Sequence, residues 1–182
     1  DEHHHKETFI SKYIFSQDHK MIAKQFLITG MFWGVIGGLM SLVFRLQLGF
    51  PEASLTWLKP LLGKWIVVSE AGIGSLDPQF YYALVTMHGT ILVFFVLTAG
   101  LSGTFSNLLI PLQLGARDMA SPLLNMLSYW FFFLAGAIMF ASLFLNTGPF
   151  SGGWTAYPPL SALPQASSGS AGGMTMWILS LV

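Results

Sequence analysis

Residues 81–103 read YYALVTMHGTILVFFVLTAGLSG, from Tyr81 to Gly103. The run is almost wholly apolar, holds no Lys, Arg, Asp or Glu, and as a helix is long enough to cross a hydrocarbon core of roughly 30 Å. Its one ionisable side chain is His88. An imidazole inside a membrane span is a functional-site hypothesis by default, because leaving it unpaired is costly and a ligated metal or hydrogen-bond partner offsets that cost.

The rest of the chain agrees with a membrane setting. Of 182 residues, 53% are hydrophobic and 9% charged, against roughly 25% charged in an ordinary soluble domain. Formal net charge is zero with histidine neutral, so nothing recommends a nucleic acid or an acidic substrate as partner. The absence of cysteine removes disulfides, thiolate metal sites and cysteine nucleophiles together. Walker, GxSxG and HExxH patterns are absent, so nucleotide binding and nucleophilic hydrolysis have no support.

Upstream of the opening stretch lies a first span, about residues 25–48. Residues 1–24 form a polar tail with Lys6, Lys12, Lys20 and Lys24; His3, His4 and His5 stand in a row there, as a metal-binding tract or an incidental His-rich tail. Asp18 precedes the continuous apolar pattern and is placed to cap the helix it opens. Within the first span Gly30, Gly34 and Gly38 recur every four residues, a stripe along which another helix can approach closely. Ser41 and Arg45 continue that stripe, so Arg45 is expected to point into protein, the competing reading being an arginine snorkelling to the headgroups. Residues 50–78 connect to the second span, about 79–105. The loop carries Trp57 and Trp65, as an interfacial segment does, and its apolar piece KWIVVSEAGIG is too short to cross.

Downstream, SNLLIPLQLGARDMASP (Ser106 to Pro122) reads as a turn punctuated by Pro111, Gly115 and Pro122 and holding Arg117 and Asp118. A third span follows, about 123–145. The connection 146–173 has no charged residue and is rich in Pro, Gly and aromatics, Trp154 and Tyr157 among them, so it is expected to pack down over something rather than float in solvent. Residues 175–182 span only about 12 Å as a helix. The chain therefore reads as part of a longer polytopic protein: an all-α membrane bundle with three transmembrane helices and the start of a fourth at about residue 175. Lysines concentrate in the N-terminal tail, which places that tail in the cytoplasm. Arg45 and His88 then share the outer half of the bundle, and Asp118 the inner side.

The chemistry open to these residues is limited. A neutral imidazole offers a ring nitrogen to a metal, and a lone intramembrane histidine is well suited to axial ligation of haem iron; a hydrogen bond to a neighbouring helix is the alternative. Asp118, flanked in sequence by Asn107 and Asn125, is either a proton or cation entrance or a solvated acid paired with Arg117.

An ordered set of landmarks narrows this. Asp18-His19-Lys20, Arg45, TMHGTILVFF around His88, SNLLIPLQLGARDMASPLLN from Ser106 to Asn125, and GWTAYPPL from Gly153 to Leu160 together resemble subunit I of the haem-copper respiratory oxidases, over about residues 17–163. The resemblance implies a proton-pumping terminal oxidase that reduces oxygen to water. It implies that His88 is an axial ligand of a low-spin haem of a or b type, and that Arg45 contacts the haem periphery with Trp154 and Tyr157 packing nearby. Asp118 would open a proton-uptake pathway lined by Asn107 and Asn125. Copper and the second haem ligand are expected outside this stretch. Partners would be other oxidase subunits, cytochrome c or a quinol as electron donor, and the lipid of a bacterial cytoplasmic membrane. Met126, Phe26 and Arg117 depart from the commonest family pattern, where a second asparagine, a tyrosine and a proline often stand. A membrane cytochrome that only transfers electrons, and a haem-free helical transporter or assembly component, are the alternative functions.

Overall fold

The computed structural model describes residues 8–167, 169 and 171–182; His3, His4 and His5 lie outside them. Three helices are long and apolar enough to cross a membrane: α1 (His19–Gly49), α2 (Pro78–Leu114) and α3 (Pro122–Ser142). A shorter apolar helix, α4 (Gly172–Leu181), follows. Their outer faces are apolar too, with Ile28, Met31, Val35 and Leu39 of α1 each more than half exposed. That is the pattern of a helix solvated by lipid rather than by water.

The first two helices exceed the predicted spans, whereas α3 stops at Ser142, short of the expected 145, and caps explain where α1 and α2 begin and end. Asp18 starts α1 as expected, its Oδ1 accepting from Lys20 N–H at 3.1 Å, which brings residues 19–24 into the helix. Before it, one wide helical turn at Ile10–Ile14 is tied to α1, as the Gln25 side-chain amide donates to the Tyr13 and Ile14 carbonyls. The second helix opens on Asp77, whose carboxylate accepts from Phe80 N–H with Pro78 at the first helical position. It then runs straight through Pro111, where the sequence predicted a turn, and stops at Gly115, which adopts φ +65 while Ala116 N–H returns to the Pro111 carbonyl. The turn holding Arg117 and Asp118 is correspondingly shorter.

The core is an aromatic seam in which α1 meets both neighbours. Trp33 lies 5.5 Å from Phe95 of α2 and covers Gly136 of α3, where a Cβ would come within 2.7 Å of the indole. Phe26 stacks on Phe132 at 5.4 Å and covers Gly103. Gly30 meets Gly100 backbone to backbone, so the crossing of α1 and α2 leaves room for no side chain. The predicted glycine stripe is corrected in one respect: Gly37 rather than Gly38 faces α2, and a Cβ on Gly38 meets nothing within 4 Å. Seven residues from Gly30 make two turns, and the eighth has already rotated off the contact.

Between Ile91 and Leu101 the second helix widens to π geometry. Thr98 Oγ1 donates to the Val93 carbonyl five residues back, and Gly100 sits so close to the Phe95 carbonyl that a Cβ would lie 2.8 Å from it. The connection 50–78 forms short helical turns and a small antiparallel hairpin, β1 (Ile66–Val68) with β2 (Gly74–Leu76). The connection 146–173 packs down onto the bundle as its composition required: Phe150 is fully buried, and Gly153 N–H donates to Thr86 Oγ1 at 3.0 Å. The fourth helix is docked by Trp177 Nε1–H, which donates to Thr90 Oγ1 at 3.0 Å.

Candidate functional site

His88 lies half-buried where α2 runs past Gly37, two turns along α1 from the Gly30–Gly100 crossing. Its Nδ1 is 2.8 Å from the Gly37 carbonyl oxygen. A carbonyl only accepts, so Nδ1 carries the proton, and in the neutral ring Nε2 keeps its lone pair. The glycine leaves room for this contact: a Cβ at Gly37 would stand 2.8 Å from Leu92 Cδ2 and 3.3 Å from Ile91 Cγ2, so those side chains would have to shift. Phe44 holds the imidazole from the side, edge to face at 5.4 Å. The flank beside the ring is open, since a Cβ on Gly38 or on Gly89 meets nothing within 4 Å. A fixed tautomer, a free Nε2 and two side-chain-free positions fit a flat macrocycle ligated through Nε2.

Arg45 stands on the Gly38 and Ser41 flank, about 12 Å along α1 from Gly37. It is exposed, so the expectation that it points into protein is not met among the described residues. The reason is the same one-residue rotation: the face of 38, 41 and 45 lies beside the α2 contact, not in it. Trp154 reaches α2 at Phe94, with ring centroids 6.4 Å apart, and remains 62% exposed; Tyr157 is 69% exposed. Neither ring lies against the imidazole.

The other end of the bundle is polar. Asn107 is 4% exposed; its Nδ2 donates to the Gly103 carbonyl at 2.7 Å, while its Oδ1 is buried without a partner. Asn125 Nδ2, Gln25 Oε1 and Trp130 Nε1 are likewise buried and unsatisfied, and all four residues lie in the halves of α1, α2 and α3 nearest the Arg117–Asp118 turn. Each such atom left unpaired costs about 1–3 kcal/mol, a cost that water entering this end of the bundle would offset. Asp118 is half-buried and accepts from Met119 N–H at 2.8 Å, not from Arg117. No hydrogen bond joins Asp118, Asn107 and Asn125 to one another among the described residues.

One residue here had no signal read from it beyond its place in a motif. His19 is 3% exposed and its Nδ1 donates to the Asn107 carbonyl oxygen at 2.9 Å. In an ordinary helix that carbonyl would accept from the residue four positions on. That residue is Pro111, which has no N–H. The proline inside the apolar run was the signal, since it guarantees a free carbonyl one turn earlier.

Three apolar membrane-crossing helices, an imidazole oriented by a backbone carbonyl and an end with four unsatisfied buried polar atoms define a polytopic helical membrane protein. Among the described residues no three metal-ligating side chains converge. The family model described as "Cytochrome C and Quinol oxidase polypeptide I" matches residues 21–182, and the chain belongs to that family. It is 37% identical over 179 residues to the alternative cytochrome c oxidase subunit 1 of Bradyrhizobium diazoefficiens, covering 98% of this chain and 27% of that protein. It is 38% identical over 170 residues to cytochrome c oxidase subunit 1 of Thermostichus vulcanus, covering 93% of this chain and 26% of the relative. A heme-copper oxidase subunit I+III of Aeropyrum pernix is 34% identical over 155 residues, 85% of this chain and 16% of the relative. The chain thus spans about a quarter of the length of the first two relatives.

Proposed function

We propose that this chain is the N-terminal part of the catalytic subunit of a proton-pumping terminal oxidase, in which His88 is an axial ligand of a low-spin haem. The observation that carries this reading is the Nδ1–H bond from His88 to Gly37, which leaves Nε2 unprotonated in the neutral ring while positions 38 and 89 carry no side chain. The haem supplies one-electron transfer when bound. The chain's own part is to fix the ring plane through Gly37 and Phe44 and to exclude water with the apolar surface of α2. Arg45 supplies a cation on the same flank, suited to the charged rim of such a group. Copper and the second haem ligand belong to the remaining length of the subunit.

At the other end, Asp118 collects protons from the cytoplasmic side and the unsatisfied atoms of Asn107 and Asn125 hold waters that carry them inward. The lysine-rich N-terminus stays in the cytoplasm, with the whole in a bacterial cytoplasmic membrane. Electrons come from cytochrome c or a quinol, and further oxidase subunits complete the complex. Replacing Asp118→Asn in the full-length enzyme in vesicles should lower the protons pumped per electron far more than it lowers any haem band. Unchanged proton stoichiometry would reject the inner half of this reading.

A further inference from the structure

We infer that the groove between the loop-side halves of α1 and α3, beneath residues 60–65, binds one anionic glycerophospholipid with its headgroup at Lys64. The groove encloses about 620 Å³, within the range of sites that bury a small amphiphile. Its walls are Leu39 and Val43 of α1, Phe140 of α3 and Phe144 just beyond the end of α3, roofed by Leu61. Leu39, Leu61 and Phe144 are 57%, 81% and 73% exposed, so the described residues leave this apolar surface uncovered.

Lys64 is the one ionisable residue in the wall. Its Nζ donates to the Asn146 carbonyl and lies 4.6 Å from the centre of the Trp65 ring, and it has no carboxylate partner among the described residues. Trp65 is itself fixed, stacked on Phe80 at 4.7 Å and 11°, with Gly148 leaving room for its edge. The groove's polar end is therefore a preformed cation beside an indole, at the level where α1 and α3 end and headgroups begin. An ammonium keeps further N–H donors for phosphate oxygens. A zwitterionic lipid would bring its own cation to the same place.

The walls also argue against a transmembrane helix as occupant. Membrane helices approach one another over Gly, Ala and Ser, as α1 and α2 do at Gly30 and Gly100. The helical walls of this groove carry Leu, Ile, Val, Met and Phe instead. Such a surface suits a flexible acyl chain, and Ile36 to Val43 alone offers about 10 Å of it.

The test uses the complete oxidase complex, delipidated in mild detergent and titrated with phosphatidylglycerol or phosphatidylcholine, with bound lipid counted by native mass spectrometry. One phosphatidylglycerol should bind about fivefold more tightly than phosphatidylcholine; Lys64→Gln should abolish the difference and Lys64→Arg restore it. Both substitutions are on an exposed side chain, and unchanged haem bands would verify folding independently of lipid retention. Equal affinity for the two lipids, or full preference retained in Lys64→Gln, would overturn the inference. So would disulfide capture of another subunit's helix by Leu61→Cys, which would show protein in the groove.

Discussion

The two ends of the bundle use one device for different purposes. His88 and His19 both donate Nδ1–H to a backbone carbonyl of the adjoining helix, at 2.8 and 2.9 Å. At His88 the acceptor becomes reachable because Gly37 lets α2 lie against α1. At His19 the acceptor is free because Pro111 cannot donate to Asn107. The difference is in what remains. The flank at His88 carries no side chain at positions 38 and 89, so the second nitrogen can serve a ligand, whereas His19 is 3% exposed and stands among unsatisfied amides. A histidine's hydrogen bond fixes its tautomer, but the space around the ring decides whether it ligates or holds helices together.

Gly37→Leu should break the comparison most strongly. The new side chain meets Leu92 and Ile91 head on, so about 1–3 kcal/mol of stability is lost and the imidazole is pulled off its carbonyl. Thermal unfolding and the haem spectrum of the full-length protein would both change. Gly38→Leu, one residue on, should leave stability within about 0.5 kcal/mol, since a Cβ there meets nothing. It should still disturb haem incorporation, and a pair of variants equal in both readouts would contradict the open-flank assignment.

His19→Ala should cost about 1–3 kcal/mol, the penalty for a buried carbonyl left unpaired. Its effect should fall on stability and on proton uptake, with the low-spin band unmoved. The smallest effect sharpens the cause. Pro111→Ala gives Asn107 a helical N–H donor, so in a double-mutant cycle the cost of His19→Ala should shrink by about 1 kcal/mol. Strict additivity would mean that the proline is not what frees the carbonyl.

Much of the fold was legible because membrane spans are written in composition. Asp18 marks the start of α1, Gly115 punctuates the turn after α2, and uncharged apolar runs lie between them, whereas the Asp77 cap of α2 emerges only in the structure. Pro111 misled, since a proline in the last turn of a helix is tolerated once another group takes the abandoned carbonyl. His88 stood out as the lone imidazole of its span, but its tautomer depends on Gly37, a contact between elements distant in sequence. Gly37 and Gly38 are adjacent and chemically identical, so only the rotation of α1 against α2 tells the contact glycine from the open one. The same rotation set Arg45 on an exposed flank. Neither the π stretch nor the four unsatisfied polar atoms had a local sequence signal, because both arise from how three helices meet.

His88, and not the similarly bonded His19, is the proposed haem ligand of this stretch. Reduced-minus-oxidised spectra of the full-length oxidase carrying His88→Ala or His19→Ala test this most directly. The low-spin haem band should be lost in the first variant and retained in the second. A band that survives His88→Ala, or disappears with His19→Ala in folded protein, would contradict the assignment.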